Sequence, residues 1–269
     1  VKVKFVLIFL FLSTLISCNE KKDKIDSTLL YLLLAQPDRA ENYDRDVQII
    51  THTIILPSYI AYDLSYSEDD VNHLKEILQV QIAKYPRGYW IKAKVERIIL
   101  GANLTLPDGR AVSGFADSVS NNFYLTVWPG ISNGTRDNQL MRTIHHELAH
   151  NFDSAMHRSP NRSDWSSLNT VDYNHNVDWS SPTLLQLTNP VPGFVTLYAT
   201  SNVGEDYAEI GCGIMGPSVN FAQLINICRS DSIVGAKVNL MISDMKKFWP
   251  FPGAESTEWK RRITEISCN

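Results

Sequence analysis

The chain has 269 residues, 44% of them hydrophobic, with 25 basic against 29 acidic side chains. That much apolar material buries a substantial core in one large or two small domains and excludes a disordered tail or a low-complexity protein. A net charge of −4 leaves no basic face for phosphates, so nucleic acid is excluded as an expected partner.

Lys2 and Lys4 precede an apolar run over 5–17, which at 13 residues is short of the roughly 20 that a spanning helix needs. The layout is that of a secretory signal peptide, 1–17. Its end, Leu15-Ile16-Ser17-Cys18, resembles the lipobox of bacterial lipoproteins. The likeness implies cleavage before Cys18 and acylation of that residue, with each buried methylene worth about 0.8 kcal/mol at a bilayer. The charged stretch 18–26 then reads as a lipidated tether, and the body of the protein, 27–269, as a soluble domain held at a membrane.

Along 27–269 the pattern predicts a smaller N-terminal lobe, about 27–136, and a C-terminal lobe, about 137–269, with no internal repeat. Isoleucine and threonine over 46–56 read as a strand, and Val71, Leu74, Ile77, Leu78 and Ile82 put a helix over 67–84 that ends at Tyr85-Pro86. Two more strands are expected at 91–100 and 122–128, with a turn at Asp108-Gly109 between them. The second of these is a candidate edge for an extended peptide to join. Turn residues over 128–134 lead into a helix over 137–156, in which Leu140, Ile144, Leu148 and Phe152 form the inward stripe.

That helix carries His146-Glu147-Leu148-Ala149-His150. The two histidines stand about 40° apart around the axis and about 6 Å apart along it, so both imidazoles can reach one metal ion. His145 points about 100° away from His146, and His157 lies about 10 Å further along, so both are read as packing or surface residues. A catalytic zinc site usually has three protein ligands and keeps its fourth position for water. Asp153 and Met156 stand where a metzincin would have glycine and histidine, which excludes that subclass. Further on, Asn202 with Glu205 three residues later resembles a helix N-cap signal, and Glu205 and Glu209 then share one face of a second helix. One would be a ligand and the other a support. The 54 residues between His150 and Glu205 also hold His175 and Asp178 as alternative ligands.

H-E-L-A-H followed by Tyr198 and then E-D-Y-A-E resembles the gluzincins, in particular the lethal-factor-like branch, over about 139–211. With the lipobox, the chain also resembles the substrate import-associated zinc metallohydrolase lipoproteins found beside outer-membrane nutrient importers. The resemblance implies an α+β fold: a zincin-like catalytic domain with a small mixed sheet, the H-E-x-x-H helix and a helical C-terminal part. It implies one Zn2+ held by His146, His150 and Glu205, with Asp153 and Glu209 as carboxylates supporting the ligand imidazoles. Glu147 is then the general base and Tyr198 a hydrogen-bond donor to the oxyanion. The implied activity is hydrolysis of a protein, peptide or glycoprotein by zinc-activated water, at the outer membrane, on its periplasmic or outer face. A non-catalytic, zinc-braced component of an import complex and a zinc hydrolase of a non-peptide amide are the competing classes. Three cysteines remain beyond Cys18; a Cys212–Cys228 bridge is one arrangement and free buried thiols the other.

Overall fold

The computed structural model describes residues 37–55, 59–157 and 162–268. Among them the chain runs β1 (Gln48–Ile50), β2 (Ala61–Asp63), α1 (Glu68–Ala83), α2 (Tyr89–Lys92), β3 (Arg97–Thr105), β4 (Gly114–Asp117) and β5 (Asn122–Thr126). It continues through α3 (Asp137–His157), α4 (Ser163–Ser166), α5 (Val203–Met215), α6 (Ser218–Ser230), α7 (Ser232–Phe248) and α8 (Glu258–Glu265). A small mixed sheet followed by a helical half is the α+β order the resemblance implies.

β3 is the spine of the sheet. β1 pairs parallel with its first half, Gln48 opposite Arg97, and β2 antiparallel with its second half, Ala61 opposite Thr105. On the other side β5 runs parallel to β3, Phe123 opposite Ile98, and β4 pairs antiparallel with β5, Phe115 opposite Tyr124. Side chains alternate between the two faces. Ile98, Leu100, Phe123 and Leu125 enter the main core with the helices, whereas Ile99 and Tyr124 join Ile60 and Leu104 in a smaller cluster on the far face. With both faces covered, every residue of β5 is buried.

Three expectations need correction. The strand expected over 46–56 shrinks to Gln48–Ile50, because β2 occupies the rest of that edge of β3. The strand expected over 91–100 starts only at Arg97; Tyr89, Trp90 and Ile91 are instead buried in the single turn of α2, and Lys94 has φ 61°. A short apolar run suits either state, and the αL residue Gly88 before it (φ 85°) selects the helical turn. Finally, β5 is no edge: β3 and β4 take both its sides, and β4 closes that end of the sheet with one side unpaired by any described strand.

The turn before α3 is held by α1. Ser67 caps α1 by accepting from the Asp70 backbone N–H. Asp70 in turn accepts from the Gly130 and Ser132 backbone N–H groups at 3.1 and 3.0 Å. These contacts hold Asp70 near pKa 2, led by the Ser132 N–H and against the upward push of burial. α3 then buries Leu140, Ile144, Leu148 and Phe152. It packs on α5 where Gly211 meets Ala149, so closely that a Cβ at 211 would lie 2.6 Å from the alanine methyl.

The disulfide is Cys228–Cys268, and Cys212 is a free, buried thiol. The Cys212–Cys228 arrangement is therefore replaced: the chain after α8 returns to α6, while Cys212 sits inside α5 with its thiol on the Glu209 carbonyl. Residues 40–269 form one compact unit. Cys18 and the segments 1–17 and 18–26 lie outside the described residues. Among those described, no helix is long and apolar enough to cross a membrane.

Candidate metal centre

α3 turns one stripe to the core and the next to a cleft, and His146 and His150 belong to the second. α5 begins beside them because Asn202, in extended conformation, accepts from the Gly204 and Glu205 backbone N–H groups at 2.9 and 3.0 Å. That cap, together with the Gly211–Ala149 approach, sets Glu205 and Glu209 against the histidines. His146 Nε2 lies 2.9 Å from Glu205 Oε2, His150 Nε2 3.3 Å from the same oxygen, and the two Nε2 atoms 3.2 Å from each other.

These three separations test whether a metal fits. Donors on a tetrahedron with bonds of about 2.0–2.1 Å stand roughly 3.3 Å apart, so the three atoms already occupy three corners at near-ligand spacing. Two imidazoles and a carboxylate are a zinc donor set that leaves the fourth position open. Burial alone pushes the Glu205 pKa up, but the two imidazoles outweigh it and hold the carboxylate well below its ordinary range. Burial likewise opposes a charge on His146, yet Cys212, Glu205 and Glu209 raise its pKa.

Glu209 is fully buried behind His146, its Oε1 2.8 Å from His146 Nδ1. Its Oε2 accepts from Arg142 and, at 2.9 Å, from Thr196 Oγ1. Arg142 and Thr196 were not read from the sequence. Arg142 had a signal, since it lies four residues before His146 and so on the same face of α3. Thr196 had none, because only the fold of the connecting segment brings it in.

Asp153 is turned to Arg162, with His157 Nε2 at 3.9 Å, and so holds the start of the 162–202 segment, while the charge of His150 also acts on its carboxylate. His157 itself meets Asp244 Oδ2 at 3.0 Å. His145 faces away, with Nδ1 2.8 Å from the Tyr85 hydroxyl and Nε2 3.0 Å from Gln81 Oε1, and burial pushes its pKa down. His175 is exposed and Asp178 accepts from Ser180, so neither alternative ligand is part of the triad.

The triad lines a cleft of about 890 Å³. One wall is β4 with residues 111–113 before it; the other is the 179–198 stretch, including Trp179 and Tyr198. Glu147 projects against β4, where only a glycine fits: a Cβ at Gly114 would lie 2.7 Å from Glu147 Cγ. Withdrawal from solvent raises the Glu147 pKa against the pull of both imidazoles. The Tyr198 ring lies over His146, centroids 5.6 Å apart and 22° from parallel. Burial and then the charge of Glu205 push its pKa up, so the phenol keeps its proton. At the mouth, Arg110 from one wall lies 5.9 Å from the Trp179 ring on the other.

Residues 120–248 match the model of a family described as "Putative zinc-binding metallo-peptidase". The matched span contains α3, the connecting segment and α5, hence all three converging donors. The crystal structure of a "putative zinc-binding metallo-peptidase" from Bacteroides caccae is similar in fold, with a TM-score of 0.52 and 17% identity over 93% of this chain and 94% of that one. No match is found among curated proteins.

Proposed function

We propose, from the zinc-binding family match over 120–248 and the donors that converge inside it, that this protein is a zinc metallopeptidase. The observation that carries the reading is the meeting of His146, His150 and Glu205 at ligand spacing on the wall of an open cleft. Those three residues would hold one Zn2+. When bound, zinc supplies Lewis acidity, polarising a scissile carbonyl and making water a nucleophile near neutral pH.

The rest of the chemistry belongs to the chain. Glu147 takes the proton of the attacking water on its carboxylate and hands it to the leaving amine as the C–N bond breaks and the new C–O bond persists. Its raised pKa suits a group that must both accept and return a proton. Tyr198, protonated and stacked on His146, donates a hydrogen bond to the oxyanion that develops on the carbonyl. Glu209 accepts the Nδ1 proton of His146 and so keeps Nε2 for the metal. The unused side of β4, beside Glu147, offers backbone groups to an extended peptide, which favours a protein or peptide substrate.

Cys18, after its apolar run, would carry the lipid anchor, and the resemblance to importer-associated lipoproteins supports a place at the outer membrane beside a nutrient importer. Metabolic labelling with a fatty acid checks this: label is expected in the wild type and absent in Cys18→Ala, and equal labelling of both would refute the anchor.

The catalytic reading is tested by mass-spectrometric peptide mapping of a mixed protein and glycoprotein substrate with wild type and Glu147→Gln, both first shown to hold equal zinc. Cleavage by the wild type alone is the expected result. Identical maps with zinc bound would leave a non-catalytic binding protein or a hydrolase of a non-peptide amide.

A further inference from the structure

His146 stands between two triads. Its Nε2 meets His150 and Glu205 in the cleft, while its Nδ1 faces Glu209 and Cys212 inside the protein; in each set the candidate donor atoms lie within 4.8 Å of one another. A histidine, a carboxylate and a thiol are also a zinc donor set, and the thiolate makes the inner one the softer of the two. Some feature of the fold must reserve the shared imidazole for the cleft.

Glu209 is where the choice is made. Both donors to its Oε2, Arg142 and Thr196, come from outside the inner triad, and Oε1 is left 2.8 Å from His146 Nδ1. Arg142 is 8% exposed, and its guanidinium is charged at every relevant pH. A divalent ion on Glu209 would face that charge across the same carboxylate, with little solvent between them to screen it. With Glu209 neutralised by Arg142, the carboxylate acts toward His146 as a hydrogen-bond acceptor, which puts the ring proton on Nδ1 and the free lone pair on Nε2.

We propose that Arg142 is a positioning residue that assigns His146 to the cleft: by occupying Glu209 it sets the imidazole tautomer and closes the inner triad, His146–Glu209–Cys212, to metal. The inference rests on the reading of the cleft triad as the zinc site. Arg142 is thus more than a counter-charge for a buried glutamate, because its loss should move a metal ion and not only weaken the fold.

Cobalt(II) substitution reads this directly. Tetrahedral cobalt gives visible bands at either triad, but a thiolate-to-cobalt charge-transfer band in the near ultraviolet arises only if Cys212 becomes a ligand. The full chain should bind one equivalent of Co2+ without that band. Arg142→Met should show the band and lose about 10–100-fold in zinc affinity at the cleft. Arg142→Lys should abolish the band again, and so should Arg142→Met with Cys212→Ser. Arg142→Met that folds and binds cobalt with no thiolate band overturns the proposal. Should circular dichroism show Arg142→Met unfolded, Glu205→Gln decides: with Arg142 intact, losing the cleft carboxylate should abolish cobalt uptake, and a thiolate band there overturns the proposal. A wild type that takes up no cobalt at all sinks the zinc reading and this inference together, an outcome distinct from either variant's failure.

Discussion

Lys237 has no exposure to solvent, and one carboxylate answers its charge. Its Nζ lies 2.6 Å from Asp206 Oδ2, an oxygen that also accepts from Trp165 Nε1 at 2.9 Å and from the Tyr173 hydroxyl at 3.0 Å. Asp206 follows Glu205 in the chain, so this cluster ties α4 and its flanking segment to the turn of α5 that carries a converging donor. Breaking a buried pair strands the remaining charge, and Lys237→Met is expected to cost about 3–5 kcal/mol in urea unfolding. Pairing it with Asp206→Asn should recover part of that loss, since no charge is then left unanswered. A second residue-scale expectation concerns Tyr198. Tyr198→Phe removes one donor but not the ring on His146, so kcat should fall roughly 100- to 1,000-fold while zinc affinity, by titration against a chromogenic chelator, stays unchanged. At this scale much was legible in advance. The helical period alone puts His146 and His150 on one face, and the Asn202 cap signal marks where Glu205 begins its helix. Thr196 and the turn of Asp153 toward Arg162 were not legible, because each depends on how the 162–202 segment folds back, whereas Arg142 carried a signal in its spacing from His146.

At the scale of elements, the centre is a product of how closely α3 and α5 approach. Gly211 has no Cβ to hold Ala149 off, and the same two helices carry His146, His150, Glu205 and Glu209. Gly211→Ala should wedge them apart, costing about 1–3 kcal/mol by overpacking and lowering zinc affinity in the same variant. An unchanged affinity would show that the donors do not depend on this contact. The junction of α1 with the 130–133 turn makes a pH prediction. Asp70 sits near pKa 2 in the fold against an ordinary 3.8. Its depressed value means that the native state favours the ionised form, so its contribution is complete above about pH 4 and disappears as pH falls toward 2. Asp70→Asn should flatten the decline in unfolding free energy over that window and reduce stability at neutral pH. Helix α3 and the start of α5 were readable from periodicity and caps. The strands were less so: 91–100 mixes a helical turn with a strand, and nothing in a string of apolar residues says which strand of a sheet is the outer one.

For the whole molecule, the sheet and the helices share one core, in which Leu78, Leu100 and Phe123 are in the same cluster as Leu148, Tyr207 and Met245. The far end of the chain is drawn into it by Cys228–Cys268, 40 residues apart in sequence. Opening that loop in Cys268→Ser should cost roughly 4 kcal/mol by chain entropy. Metal uptake should survive, because neither cysteine is near the cleft triad. The fold class was legible through the resemblance that H-E-L-A-H and E-D-Y-A-E carry, whereas the bridge was not, since spacing says nothing of where a C-terminal tail docks. The 54 residues between His150 and Glu205 carry one more implication. An ion held from both ends of that stretch is a reversible cross-link across a long loop, present only while the chain is folded. Mass action then couples occupancy to survival: at a free ion concentration a thousand times its dissociation constant, the native state gains about 4 kcal/mol. A strong chelator should lower the melting temperature and expose the 162–202 stretch to proteolysis before any other part of the chain. Metal starvation would then clear the protein as well as silence it, and the abundance of intact chain would track the supply of the ion.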